Sequence, residues 1–230
     1  MMVAVPLVTA SPIPPAGPTL PPYLRQCVKG HPTLEPQRWF GDIAERAKEI
    51  RTQALHLKQA FVFSRFNDTT HVDDVFRERH HYSHFPKRPS TQPMALQGQH
   101  QVNQALNQSL YLLAVYIHHL ERVETQENQF QQGQFSQQIN SLAIEMKDAA
   151  YGINVMLCER GQGLSAAVYQ DVTELGMDVT SARHRHARLL FVIDDVIHVG
   201  GFIFRTFLGL ECLSGLHMDT YQMGPFQDWE

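Results

Sequence analysis

Excess positive charge and long uncharged hydrophobic runs are both missing from this chain, and each absence removes a class of function. Its 230 residues carry 19 Lys and Arg against 23 Asp and Glu, a formal charge of −4. Such a balance gives no electrostatic reason to bind nucleic acid or an anionic lipid surface. The most apolar stretch, Leu189 to Leu213, is interrupted by Asp194, Asp195, His198 and Arg205, each costly in lipid, which argues against membrane insertion. A Gly-rich phosphate loop, a nucleophile elbow and a paired-cysteine motif are all absent, so no catalytic residue is assigned and the chain does not read as an enzyme.

Histidine is abundant, but its arrangement does not make a metal centre. His80, His81 and His84 follow Glu78, and His184 and His186 are spaced by one, without the cysteine pair and four-ligand pattern of structural zinc. A solvated polar loop is the simpler reading. A di-metal bundle needs inward carboxylates and Glu-x-x-His on facing helices. Here Glu78-Arg79-His80-His81 falls in a loop, Asp195-Val196-Ile197-His198 has Asp in place of Glu, and His118-His119-Leu120-Glu121 runs in the reverse order. No metal and no cofactor are expected.

What the chain does contain is four long apolar-periodic segments. Segment A, Trp39 to Phe66, carries Phe40, Ile43, Ala47, Ile50, Ala54, Leu57 and Phe61 on one stripe. Segment B, Val102 to Val123, carries Leu106, Leu110, Leu113, Ile117 and Leu120, widened by Ala105, Tyr116 and Val123. Segment C, Phe135 to Leu157, carries Phe135, Ile139, Leu142, Met146, Ala149, Ile153 and Met156. Segment D, Leu189 to Leu213, is apolar around nearly its whole circumference, so it is either the most buried helix or one that also meets a partner.

The gaps between segments constrain direction. A and B are separated by roughly thirty-five residues containing Pro86, Pro89, Pro93 and Gly98, against about two to eight for an antiparallel helical hairpin. An overhand crossing and parallel A and B follow. The polar link from Gln126 to Gln134 is short, making B and C antiparallel, and the Glu159 to Arg188 connection is again long enough for a crossing. The expected fold is all-α: an up-up-down-down four-helix bundle with two long crossover loops.

In that topology Cys27 before A, Cys158 at the end of C and Cys212 at the end of D lie at one pole. One disulfide among the three becomes geometrically allowed, and the odd count leaves a thiol over. Residues 1–35 read as a proline-rich disordered arm, 36–215 as the bundle and 216–230 as a C-terminal tail. Val3 to Val8, followed by Thr9, Ala10 and Ser11, looks like the remnant of a secretion signal, although a basic leader is missing and Pro6 interrupts the apolar run. Asn67-Asp68-Thr69 and Asn107-Gln108-Ser109 are glycosylation sequons, of which Asn67, in a loop, is the better placed.

With chemistry set aside, a protein-binding surface remains. Arg205 between Phe204 and Phe207 has the composition of an interface anchor. The plainer alternative is an arginine whose stem covers core and whose head reaches water. Phe191 reads as core before it reads as interface, and Asp194 and Asp195 as acidic groups in a helix N-terminal turn.

Four long helices in a long-short-long spacing behind a proline-rich leader resemble the long-chain helical cytokines of the interleukin-six type, the group that includes interleukin-eleven, ciliary neurotrophic factor and cardiotrophin-like cytokine. The resemblance covers Arg38 to Leu213 and rests on architecture, with LYLLAVYIHHLERV at Leu110 to Val123 similar to that group's second helix and AYGINVML at Ala150 to Leu157 to the end of its third. It implies a secreted, extracellular ligand without catalytic residues that brings cell-surface cytokine receptor chains together to start kinase and transcription-factor signalling. The family pattern implies one receptor contact at Arg205 with Met94 to Leu96, and a second at Phe191. The exposed faces of A and C, around Arg46, Lys48, Gln138 and Lys147, would meet the common signalling chain. Relatives that engage the leukaemia-inhibitory-factor receptor carry Lys three residues after the aromatic, where this chain has Asp194, which puts that particular receptor in doubt. The competing expectation is an intracellular or viral all-helical adaptor that binds a protein partner through segment D.

Overall fold

The structure, a computed structural model, describes residues 20–24, 36–66, 69–81, 99–164, 166–174 and 181–213. Among them are six α-helices and two 3-10 turns, with no strand: the fold is all-α. The helices are α1 Pro36–Arg65, α2 Thr69–Arg77, α3 Gln99–Phe130, α4 Ser136–Glu159, α5 Ala166–Glu174 and α6 Ala182–Leu213. The 3-10 turns are Pro22–Leu24 and Glu78–His81. No helix among the described residues is long and apolar enough to cross a membrane.

Local sequence explains the helix ends. Pro36 opens α1, where a missing N–H costs nothing. Ser181 caps α6, its Oγ accepting the His184 N–H at 3.2 Å. At the end of α4, Gly161 adopts φ 67°, its N–H reaching the Cys158 carbonyl at 2.9 Å while that of Gln162 reaches Leu157 at 2.8 Å, which closes a Schellman motif. The turn from α3 to α4 places Gly133 at φ 71°, and the Ser136 hydroxyl donates to Asn128 Oδ1 at 2.6 Å across it.

The apolar stripes of segments A, B and C are the buried faces of α1, α3 and α4. α6 makes its most extensive contact with α1, and α3 makes its own with α4. Along α1 and α6, Phe40 meets Phe207 near one end with ring centroids 6.0 Å apart, and Phe61 meets His186 near the other at the same separation. Along α1 and α4, Ile43 lies by Gly152 and Phe61 stands edge-on to Phe135 at 5.4 Å. Lys147 pairs with Glu121 at 2.8 Å between α4 and α3, and Arg185 of α6 stacks 4.3 Å from the Phe130 ring of α3.

Three sequence expectations change. α6 starts at Ala182, well before Leu189, so Asp194 and Asp195 lie inside the helix and do not cap its first turn. Their carboxylates are buried, and interior cations hold them in place of the helix dipole. Within the A–B connection, read as a loop, α2 and its 3-10 turn cover the first half of α6, with Val72 and Val75 in the core. That cover answers the question of what surrounds an all-round apolar helix: part of its partner surface comes from the same chain. Residues 1–35 were read as an arm outside the bundle, yet Tyr23 and Leu24 pack into the core against α4, Leu24 at 1% exposure.

Candidate interaction surfaces

Three of the residues expected at a surface are interior. Phe191 is fully buried, its ring centroid 5.7 Å from that of Phe76 and its face covered by the Arg79 guanidinium at 5.3 Å. Phe207 is fully buried against Phe40. Asp194 is buried as well, accepting from Lys58 Nζ at 2.6 Å, with His198 Nε2 3.8 Å away. Next to it, Asp195 accepts from Arg79 and from the Tyr116 hydroxyl at 2.9 Å. Burial, followed by the Asp195 charge, raises the Tyr116 pKa far above its ordinary value, so this phenol is a fixed donor. This cluster is an internal tie between helices, not a surface.

Arg205 remains accessible in part. It is half-buried on α6 beside Phe204, and Arg51 of α1 is its neighbour across the seam. Desolvation, then the Arg51 charge, lowers its pKa from the ordinary arginine value, although a guanidinium stays charged at any physiological pH. Among the described residues no carboxylate pairs with Arg205.

On the other flank of α1, Arg46 bridges to Glu145 and Asp148 of α4, both at 3.4 Å. Gln138 is exposed on the first turns of α4, and Lys147 is half-buried in its pair with Glu121 on the α3 side. These residues therefore do not form one patch. Sequence reasoning missed Ile144 and Tyr151, seven positions apart on α4 and exposed at 47% and 46%, and Phe63 of α1, exposed at 85%. Their signal was available as apolar residues lying off the buried stripes, a pattern that marks contact surfaces when it recurs on one helix face.

Met94, Leu96, Cys27 and Asn67 lie outside the described residues. Cys158 is disulfide-bonded and Cys212 has a free thiol. Asn107 sits on α3, its amide donating to the Asn103 carbonyl and to Gln162 Oε1, both at 3.0 Å, a poor setting for a glycan acceptor. Among the described residues no cluster of His, Cys, Asp or Glu is arranged to hold a metal. A cavity of about 10 Å³ between α3 and α6, lined by Gln126, Glu127, Arg185 and His186, has room for a water at most.

Comparison with known protein families, curated proteins and solved structures finds no match to this chain.

Proposed function

We propose that this protein is a secreted helical cytokine, built as an up-up-down-down four-helix bundle with two long crossovers, that binds and brings together cell-surface receptor chains. Support for the topology comes from the contact pattern. Positions rise in α1 as they fall in α6 and in α4, since Phe40 goes with Phe207, Phe61 with His186, Ile43 with Gly152 and Phe61 with Phe135. The same inversion relates α3 to α4 through Glu121 with Lys147 and Asn128 with Ser136, and α3 to α6 through Tyr116 with Asp195 and Phe130 with Arg185. α1 and α3 then run one way, and α4 and α6 the other.

The observation that carries the functional reading is a pair of accessible patches of different chemistry on different helices. One is basic, Arg205 with Arg51 at the α1–α6 seam; the other is apolar, Ile144 and Tyr151 on α4. α4 and α6 both flank α1 without packing extensively on each other, so two partners can approach at once. A rigid body with two such patches raises the effective concentration of one receptor chain near another, and no catalytic group is needed. The disulfide at Cys158 fits an oxidising, extracellular setting.

Expression of the full natural reading frame in a secretory cell tests the proposal. The expected result is protein in the medium that activates kinase signalling in receptor-bearing cells. Arg205→Glu and Tyr151→Glu each abolish activation with helicity unchanged, and each blocks a different receptor contact. Retention inside the cell, with the upstream frame complete, shifts the assignment to an all-helical adaptor acting through α6.

A further inference from the structure

We infer that the outer face of α4 pairs with the same face of a second copy of this chain, the two α4 helices lying side by side and parallel about a two-fold axis. This face is the one turned away from the buried stripe of Ile139, Leu142, Met146, Ala149 and Ile153. Ile144 and Tyr151, both exposed, stand two turns apart on its mid-line. Lys147 and Asp148 flank that line at about 50° to either side, from the 100° turn per helical residue.

Charge selects both the partner and its direction. A two-fold axis parallel to the helices sets the Lys147 flank of each copy against the Asp148 flank of the other, so the pairing occurs twice, while Ile144 meets Ile144 and Tyr151 meets Tyr151 on the axis. An antiparallel pair would instead set Lys147 beside Lys147 and Asp148 beside Asp148, like charge against like. The intramolecular neighbours extend the match. Lys147 is held toward α3 by Glu121 at 2.8 Å, and Asp148 lies 3.4 Å from Arg46 on the α1 side. Across the parallel contact the order becomes Glu121, Lys147, then Asp148 and Arg46 of the second copy, alternating in sign. The Lys147 ammonium has three donors, enough for Glu121 and the new carboxylate together. Along the rest of this face Gln137, Asn140, Ser141 and Val155 carry no charge and add no repulsion.

One helix face with its flanks lies at the low end of interface size, below about 1,200 Å², so the pairing is reversible. A receptor's use of Ile144 and Tyr151 rests on the proposed function, whereas the pairing of two copies does not. With both in place, the dimer keeps that patch covered until it dissociates.

Sedimentation velocity of the intact chain, with no receptor present, tests the pairing apart from receptor binding. The wild type is expected to pass from monomer to dimer as its concentration rises from about 5 µM to about 500 µM, the range of a small, reversible interface. Asp148→Lys and Lys147→Asp are each expected to weaken the dimer by about tenfold or more with helicity unchanged, since each sets like charges together twice. An equimolar mixture of the two variants is expected to restore it, because one then presents two cations and the other two carboxylates. Mixing changes nothing within either chain, so recovery reads the contact between chains. A wild type that stays monomeric at about 500 µM overturns the pairing and leaves the α4 face to a different partner. Single variants that dimerise as the wild type does, or a mixture no stronger than its components, overturn the parallel α4 contact.

Discussion

Two adjacent glycines on α6 should respond in opposite directions to the same substitution. A Cβ placed at Gly200 would stand 2.9 Å from the Ala47 carbonyl oxygen, 3.0 Å from Arg51 Cβ and 3.1 Å from the Arg51 backbone nitrogen. Two of those atoms are α1 backbone, which cannot rotate aside, so α1 and α6 must separate by several tenths of an ångström. A Cβ at Gly201 would instead meet Arg205 Nη2 at 3.6 Å and Arg51 Cδ at 3.8 Å, ordinary contacts with flexible side chains. Both substitutions gain the same helix propensity, about 1 kcal/mol for Ala over Gly in a helix interior. Only Gly200→Ala overpacks a tight seam, at a cost of about 1–3 kcal/mol. Gly201→Ala is therefore expected to stabilise the fold by about 0.5–1 kcal/mol, and Gly200→Ala to be destabilising by up to about 2 kcal/mol. The difference between the two is the cleaner quantity, because propensity cancels from it. Urea denaturation followed by circular dichroism measures it, and thermal midpoints should separate by about 2–4 °C per kcal/mol. Equal shifts of the same sign would refute the close approach of α1 to α6 at this point.

Two further substitutions test other parts of the interior. Burial, then the charges of Arg188, His118 and Arg122, lower the His119 pKa from 6.5 to about 3. The unfolded chain takes up this proton near pH 6.5 and the folded chain does not, so stability is fully present above that value and is lost as pH falls, by about 2 kcal/mol at pH 5. His119→Leu should flatten the dependence between pH 7 and 5, seen in urea midpoints at the two values; parallel slopes for variant and wild type would assign the acid loss elsewhere, His118 and His186 being shifted in the same direction. Leu24→Ala should lower stability by about 2–3 kcal/mol, because Leu24 is a core residue packed against α4. A change within about 0.5 kcal/mol would return that segment to the status of an arm.

The long helices were legible because each buried face repeats often enough to stand out. From Phe40 to Phe61, every residue assigned to the α1 stripe is buried, and the same is true of α4 from Phe135 to Met156. Short elements gave no such signal. In α2, Val72, Val75 and Phe76 have helical spacing, but a nine-residue helix amid polar sequence offers too few repeats to separate it from a loop. Tyr23 and Leu24 are a short apolar pair after Pro21 and Pro22, invisible to any periodicity. The start of α6 was missed because Arg183, His184, Arg185 and Arg188 mask its pattern, although Arg188 is fully buried. Of the expected contact residues on α6, Phe191 and Phe207 went to the core, while Arg205 is half-buried. A single sequence shows which residues are aromatic, not which of them another segment of the chain will cover.

The order of the helices along the chain has a consequence for how the protein is made. α3 and α4 are joined by the tight turn at Gly133, so their pairing closes a short loop and is available as soon as α4 has left the ribosome. α1 is synthesised first, yet its most extensive contact is with α6, the last helix of the six. During translation its apolar stripe must wait, held in part by α4 at Phe61 and Phe135. This interval is when a growing chain is most exposed to misassociation, and it makes α1 the segment that a chaperone has most reason to shelter.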